Sequence, residues 1–343
     1  MPRCGKSSLI ILCSFLAAPA ASAGDSPGTE LRGKWVLDAN GAAVEPESFR
    51  RGLQSSGLFY RDGELWSVGD QRSRYPGHLF RLDPRSARLA GPPVRLRLPE
   101  PRDGENPHFR TYRDIPNSDF EGAAAHPTDP SRLYAVTENK AAWLVEIRLE
   151  SRSPGQYSPR ITQMSEVVFP EKLEPWRGSD NFHLEGIAIA DDGETVYLAY
   201  ERASDDLPRI LVAKLAEARG GARCRTRELP IPFAEVPRRR DKAAARLNVN
   251  GIQFLRWKNR PYLIAVARDQ ERILVIDLAA KRVSHWVDLD LRDAAGGAIL
   301  WVSPEGLACD VRRDRLWIIN DPDSVRGNYR ARDEETASGH YAD

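Results

Sequence analysis

Five glycines at near-equal intervals constrain this chain more than any other feature. They are Gly57, Gly122, Gly186, Gly251 and Gly306, separated by 65, 64, 65 and 55 residues. Each sits in a segment of shared character: Ser55-Ser56-Gly57-Leu58, Asp119-Phe120-Glu121-Gly122-Ala123, His183-Leu184-Glu185-Gly186-Ile187, Asn248-Val249-Asn250-Gly251-Ile252 and Ser303-Pro304-Glu305-Gly306-Leu307. A lone Glu-Gly pair carries no information. A corner recurring at a fixed period marks a repeat architecture, in which each unit buries its apolar face against the next.

The residues after each glycine share a pattern too. A short apolar strand comes first, as in Gly186-Ile187-Ala188-Ile189-Ala190. A turn comes next, at Asp62-Gly63, Asp129-Pro130-Ser131, Asp192-Gly193, Trp257-Lys258-Asn259 or Arg313-Asp314. Asp-Gly between apolar runs is a strong hairpin signal. A second run then appears, rich in the aromatic and β-branched residues that pleated strands favour: Leu65–Val68, Leu133–Val136, Val196–Ala199, Tyr262–Val266 and Leu316–Ile319. Four units show a third strand (Leu79–Leu82, Trp143–Ile147, Ile210–Ala213 and Ile273–Ile276), and Arg282–Trp286 exemplifies a fourth. Helical periodicity is nearly absent; Asp241–Arg246 is expected to form one turn between units.

Four antiparallel strands per repeat is the blade of a β-propeller. The chain is therefore expected to be all-β: a single propeller of five blades over residues 24–330, with six as the alternative if the N-terminal stretch or 151–182 hides another. Residues 331–343 read as a flexible polar tail. The last unit is incomplete, and Leu31–Leu37 is expected to pair with it and close the ring, removing exposed sheet edges.

The second strand of each unit runs into polar residues: Asp70-Gln71-Arg72, Glu138-Asn139-Lys140, Glu201-Arg202, Arg268-Asp269-Gln270 and Asp321-Pro322. Two strands joined by a hairpin are antiparallel, so the start of the first and the end of the second lie at the same end of the sheet. Glu121, Glu185, Asn250 and Glu305 should thus share one channel mouth with Asp70, Glu138, Glu201, Asp269 and Asp321. Eight like charges in one place disfavour each other's ionisation. Two offsets are possible: ion pairs with Arg72, Lys140, Arg202 and Arg268 or Arg272, or a bound cation. Oxygen donors without thiolates point to calcium ahead of magnesium. Asn250 keeps a ligating oxygen while dropping the charge, which suits a metal site better than a ring of ion pairs.

Arg3 and Lys6, the apolar run Leu9–Ala18 and the small residues Ala21-Ser22-Ala23 form a secretory signal over residues 1–23. The run is too short to span a membrane comfortably. Its removal takes away two of the 50 basic residues and none of the 49 acids, moving the formal charge from +1 to −1. A near-neutral chain carries no electrostatic footprint for nucleic acid. The expectation is a periplasmic or secreted protein, monomeric, without stable membrane insertion. Cys224 and Cys309 remain; an oxidising compartment permits a bond between them, and two small buried thiols is the equal alternative.

No Gly-x-Ser-x-Gly elbow, phosphate-cradling glycine loop or His-Glu-x-x-His occurs. His183, two residues before Glu185, is a candidate general base or a rim hydrogen-bonder. The eight tryptophans are expected to fill blade interfaces.

The corners Asp119–Gly122, His183–Gly186 and Ser303–Gly306, with strands ending in Glu138 and Glu201, resemble the phytase-like, esterase-like propellers of bacteria and the related SdiA-regulated propellers. The resemblance covers about Gly57 to Asp323. It implies an exported propeller with calcium and a phosphoesterase or esterase activity, and assigns no residue a catalytic role. Asn248-Val249-Asn250-Gly251 departs from the acidic pattern. It is similar instead to the Asn-Gly turns of calcium-dependent gluconolactonase and paraoxonase-type propellers, which keeps a lactonase open.

Two functions are expected from these residues. One is a metal-dependent hydrolase of a phosphoester, ester or lactone. Glu121, Glu185, Glu305 and Asn250 would hold calcium, Glu185 and His183 are the catalytic candidates, and Arg72, Lys140, Arg202 and Arg268 would bind an anionic small molecule. The other is a non-catalytic propeller that binds a ligand or protein at the same mouth.

Overall fold

A computed structural model describes residues 55–70, 76–84, 89–97, 119–138, 142–153, 156–173, 184–220, 223–242, 245–289, 304–310 and 315–320. Each glycine corner opens the first strand of a sheet or directly precedes it. The first sheet runs β1 (Ser55–Arg61), β2 (Glu64–Gly69), β3 (His78–Leu82) and β4 (Val94–Arg95) in spatial order. The second contains β5 (Phe120–Ala125), β6 (Arg132–Thr137), β7 (Trp143–Ser153) and β8 (Gln156–Val168). In the third, β9 (Leu184–Ile189), β10 (Thr195–Tyr200) and β11 (Arg209–Lys214) are completed by β13 (Arg227–Leu229). The fourth comprises β14 (Ile252–Trp257), β15 (Arg260–Ala267), β16 (Arg272–Asp277) and β17 (Arg282–Asp288). The turns match their sequences: Asp62 and Gly63 have φ of 51° and 87°, and Lys258 and Asn259 have 48° and 62°. Positive φ at both central residues is what a tight two-residue hairpin needs.

Two features differ from the expected plan. Four sheets are full blades; the last, β18 (Pro304–Asp310) with β19 (Arg315–Asn320), has two strands among the described residues, so five equal blades of four strands is not what is seen. The strand expected to close the ring, Leu31–Leu37, lies outside the described residues, as do residues 1–23 and 331–343. The described residues of segment 151–182 form no sixth blade. Those up to residue 168 lengthen β7 and β8 to 11 and 13 residues within the second blade. The turn expected over Asp241–Arg246 is a 3-10 turn at Arg240–Lys242.

The second blade also gains a fifth strand. After β11 the chain forms a short helix, α1 (Leu215–Gly220), then lays β12 (Arg223–Arg225) parallel against β8, and only then returns as β13. Parallel pairing requires such a crossover. The excursion is held by Thr226, whose amide and hydroxyl both donate to the Val168 carbonyl at 3.0 and 2.8 Å. Ser165 Oγ donates to the Ala218 carbonyl at 3.0 Å.

The apolar core lies between sheets. Tyr134, Val136 and Leu144 of the second blade pack on Leu184, Ile187 and Leu198 of the third, and equivalent layers join first to second, third to fourth and fourth to β18–β19. A fifth layer returns to the start: Leu58, Leu65, Phe80 and Leu82 pack on Ala308, Trp317 and Ile319. Trp66 and Trp317 fill such layers as expected, Trp317 stacking on Tyr60 with ring centroids 4.9 Å apart, whereas Trp257 is exposed. Burying a side chain of this size contributes about 1.5–3 kcal/mol.

The glycines form a circuit at the centre. A Cβ at Gly57 would lie 2.3 Å from the Ala123 amide nitrogen; at Gly122, 2.8 Å from the Gly186 Cα; at Gly186, 2.2 Å from the Asn250 carbonyl; at Gly251, 2.5 Å from the Glu305 carbonyl; and at Gly306, 2.7 Å from the Leu58 amide. Each inner strand is pressed backbone to backbone on the next, so only glycine fits. Cys224 is buried and Cys309 half-buried, and the two are not bonded to each other. No helix among the described residues is long and apolar enough to cross a membrane.

Candidate functional site

Beside each glycine the ladder is broken by one extra residue. Phe120 pairs with Thr137 and Gly122 with Val136, leaving Glu121 outside the pairing. Glu185 is the extra residue between the pairs Leu184–Tyr200 and Gly186–Ala199, and Glu305 that between Pro304–Asn320 and Gly306–Ile319. In the first blade the same shift falls between Ser55 and Leu58. In the fourth, the Asn250 amide donates to the Val266 carbonyl at 3.0 Å while the Val266 amide donates to the Gly251 carbonyl at 2.9 Å, so two residues face one. A β-bulge bends its strand and re-aims a side chain. Five bulges at equivalent places put Ser56, Glu121, Glu185, Asn250 and Glu305 in one tier.

A second tier comes from the residue after each second strand: Asp70, Glu138, Glu201 and, in the fourth blade, Arg268. The acid expected there, Asp269, sits one residue further on with its side chain about one-third exposed, its amide donating to Asn248 Oδ1 at 2.9 Å. Asp321, Arg72, Lys140 and His183 lie outside the described residues. Arg202 is half-buried, its Nε 4.0 Å from Asp206 Oδ1. Arg272 is also elsewhere, paired with Asp288.

The acids do converge. Burial, then Glu138, Glu185, Asp119 and Asp70, push the Glu121 carboxyl well above the usual carboxylate range. Burial, with Asp119, Glu201 and Glu305, raises Glu138 to about 8 against the opposing Arg268. Burial and the charges of Glu201, Glu138 and Glu305 likewise hold Glu185 well above its ordinary value, again opposed by Arg268. One carboxylate oxygen from each of Asp119, Glu121 and Glu138 lies within 4.8 Å of the others, a spacing one cation can bridge. Asp119, two residues before Glu121, is a ligand candidate that sequence reasoning missed; its only signal was its place in the repeated corner.

Arg268 is the cation that interrupts this ring. Its Nη1 donates to Glu305 Oε1 at 2.7 Å, its Nη2 pairs with Glu201 Oε1, and its Nε lies 3.4 Å from Asp269 Oδ1. Burial alone would lower its pKa; Glu305, Glu201 and Glu185 more than offset that and keep it protonated. Asn248 Nδ2 adds a bond to Glu201 Oε1 at 3.1 Å.

Asn250 is fully buried, at 0% exposure. Its Nδ2 donates to Glu185 Oε2 at 3.1 Å, and its Oδ1 accepts no hydrogen bond among the described residues. An unsatisfied buried acceptor costs about 1–3 kcal/mol, so its placement in a ring of carboxylates is informative.

No family model matches the chain, and no curated protein matches it. Among solved structures, Myxococcus xanthus glutaminyl cyclase is similar with a TM-score of 0.45 at 15% identity, over 78% of this chain and 86% of that one. The Malassezia sympodialis allergen Mala s 1 gives 0.45 at 10% identity, over 80% and 89%. An auxiliary nutrient binding protein from Bacteroides thetaiotaomicron gives 0.39 at 12%, over 79% and 67%. The propeller assignment rests on the strand order and the packing between sheets.

Proposed function

We propose that this chain is an exported propeller that holds calcium in its channel mouth and acts there as a hydrolase on a phosphoester, ester or lactone. The observation that carries the reading is the fully buried Asn250 Oδ1, without a hydrogen-bond donor among the described residues, beside Glu185. A neutral oxygen among acids that suppress each other's ionisation is the donor set of a hard cation. Asp119, Glu121 and Glu138, with carboxylate oxygens within 4.8 Å of one another, would hold the ion, and Glu185, Asn250 and Glu305 are the further ligands proposed from the same mouth. Bound there, calcium would polarise a carbonyl or phosphoryl oxygen and lower the pKa of a water. Glu138, with a pKa of about 8 in the absence of such an ion, is placed to hold or release a proton at its carboxyl near neutral pH.

Export is supported by the three-part pattern of residues 1–23. The phytase-like kinship is supported by the acidic corners. We take β18–β19 as the inner half of a fifth blade, because it carries the fifth bulge and glycine. A second reading, a non-catalytic propeller binding its ligand at the same mouth, is favoured by one observation. Three of the five N–H donors of Arg268 are turned to carboxylates, which leaves it a weak anchor for an anionic substrate.

Thermal melts with calcium and with a chelator test the shared premise. A ligand that binds only the folded state must raise stability, so coincident melts would remove the metal. Turnover of phosphomonoesters, acyl esters or lactones that is lost in Glu185→Gln would separate enzyme from binder. Activity undiminished in that variant takes Glu185 out of the site.

A further inference from the structure

Arg268 stands where the first three blades carry Asp70, Glu138 and Glu201, and it is fixed there. The turn behind it is strapped to Arg239, Lys242 and Ala245 of the preceding segment. Gln270, fully buried, donates to the Ala245 and Lys242 carbonyls at 2.7 and 3.0 Å and accepts from the Arg239 amide at 2.6 Å. Glu271 pairs with Lys242 at 2.5 Å and lies 3.7 Å from Arg239. The same segment leads directly into Asn248 and Asn250. So a buried polar network sets one guanidinium and one amide with an unsatisfied oxygen into the ring together. Arg268 takes up Glu201 and Glu305. Asp119, Glu121 and Glu138 gather on one another, and Glu185 has the Asn250 amide as a neutral partner.

We infer that Arg268 is a tethered internal competitor of the bound cation: its guanidinium neutralises Glu305 and Glu201 in the cation-free protein and thereby sets how tightly a divalent cation is held. The inference rests on the cation reading above. It requires that a cation drawing on Glu305 do so against an ion pair already made, and that the site stay selective for ions able to outweigh a monovalent guanidinium. Arg268 is near enough to act on the Glu138 and Glu185 carboxyls, so its charge repels a cation that draws on them. Losing Arg268 therefore tightens cation binding although it removes a stabilising pair.

Calcium titration by calorimetry on wild type, Arg268→Gln and Arg268→Lys decides it. The expected result is a Kd at least about tenfold lower in Arg268→Gln, with Arg268→Lys between. Calcium bound only by Arg268→Gln also supports the inference, as a competitor that wins outright. If Arg268→Gln does not fold in chelator, the calcium concentration that half-restores the fold takes the place of the isotherm. Equal or weaker binding by Arg268→Gln, with wild type binding calcium, overturns the competitor and leaves the cation site standing. No binding by any of the three overturns both.

Discussion

At the channel mouth the second and third blades present Glu121 with Glu138 and Glu185 with Glu201, whereas the fourth presents Asn250 with Arg268. The backbone is the same in all three: a bulge, a glycine against the next strand, and a second strand ending beside it. Only the side chains differ, and they differ in charge at both positions. Burial and mutual repulsion raise the pKa values of the acids in the second and third blades, and the fourth blade supplies the one counter-charge among the described ring positions. Departures from a repeat's own rule are expected where function, not folding, sets the residue.

The comparison can be broken first at its shared backbone. Gly186→Val drives a Cβ to within 2.2 Å of the Asn250 carbonyl, and overpacking against a backbone costs about 3 kcal/mol or more. Urea denaturation showing a loss under about 1 kcal/mol would mean the inner strands are not locked together. Next comes the charge. Arg268→Gln in chelator at pH 7 strands Glu201 and Glu305, and removing one partner of a buried pair costs about 3–5 kcal/mol. The same variant at pH 5, where the ring binds protons, should lose much less.

A third test concerns the acids of blades two and three. Glu121, Glu138 and Glu185 have folded-state pKa values above the unfolded ones. The native state then binds more protons than the unfolded state, so stability is highest below about pH 4.5 for these groups and falls as pH rises towards 8. In chelator we expect Tm to drop by about 5 °C or more between pH 5 and pH 8, with calcium or Glu138→Gln flattening the slope. A melt rising with pH in chelator would contradict the clustering. Asp192, at a hairpin far from the ring, has a pKa lowered to about 2 by Thr195 and Glu194 against the opposing effect of burial; its contribution runs the other way and fades only in strong acid. The smallest effect belongs to Asn250→Ala, which removes one bond to Glu185 and costs about 1 kcal/mol in chelator. Its sharper readout is a reduced calcium-induced Tm rise.

Much of this architecture is legible in the sequence. The glycine spacing places every inner strand, and the antiparallel argument puts Glu121, Glu185, Glu305, Glu138 and Glu201 at one end. Arg268 is legible as a nearby residue but not as a ring member. The hairpin turns differ in length, so counting from each glycine does not align Arg268 with Glu201; only the pairing of Ala267 with Arg272 fixes that the strand stops there. The bulges are invisible because period-2 patterning cannot register one extra residue opposite a gap. The crossover of β12 is hidden for a related reason: three residues, Arg223-Cys224-Arg225, carry too little pattern to name a partner sheet.

That crossover bears on how the molecule comes apart. In a repeat protein each unit holds mainly to its neighbours, and units can open one at a time. Here β12 on β8 and β13 on β11 are separated by one residue, Thr226, so parting the two blades pulls on a stretch of chain paired to both. The second and third blades are thus stitched into one cooperative block. Their amides should exchange with solvent hydrogen together, while the first and fourth blades are free to exchange on clocks of their own.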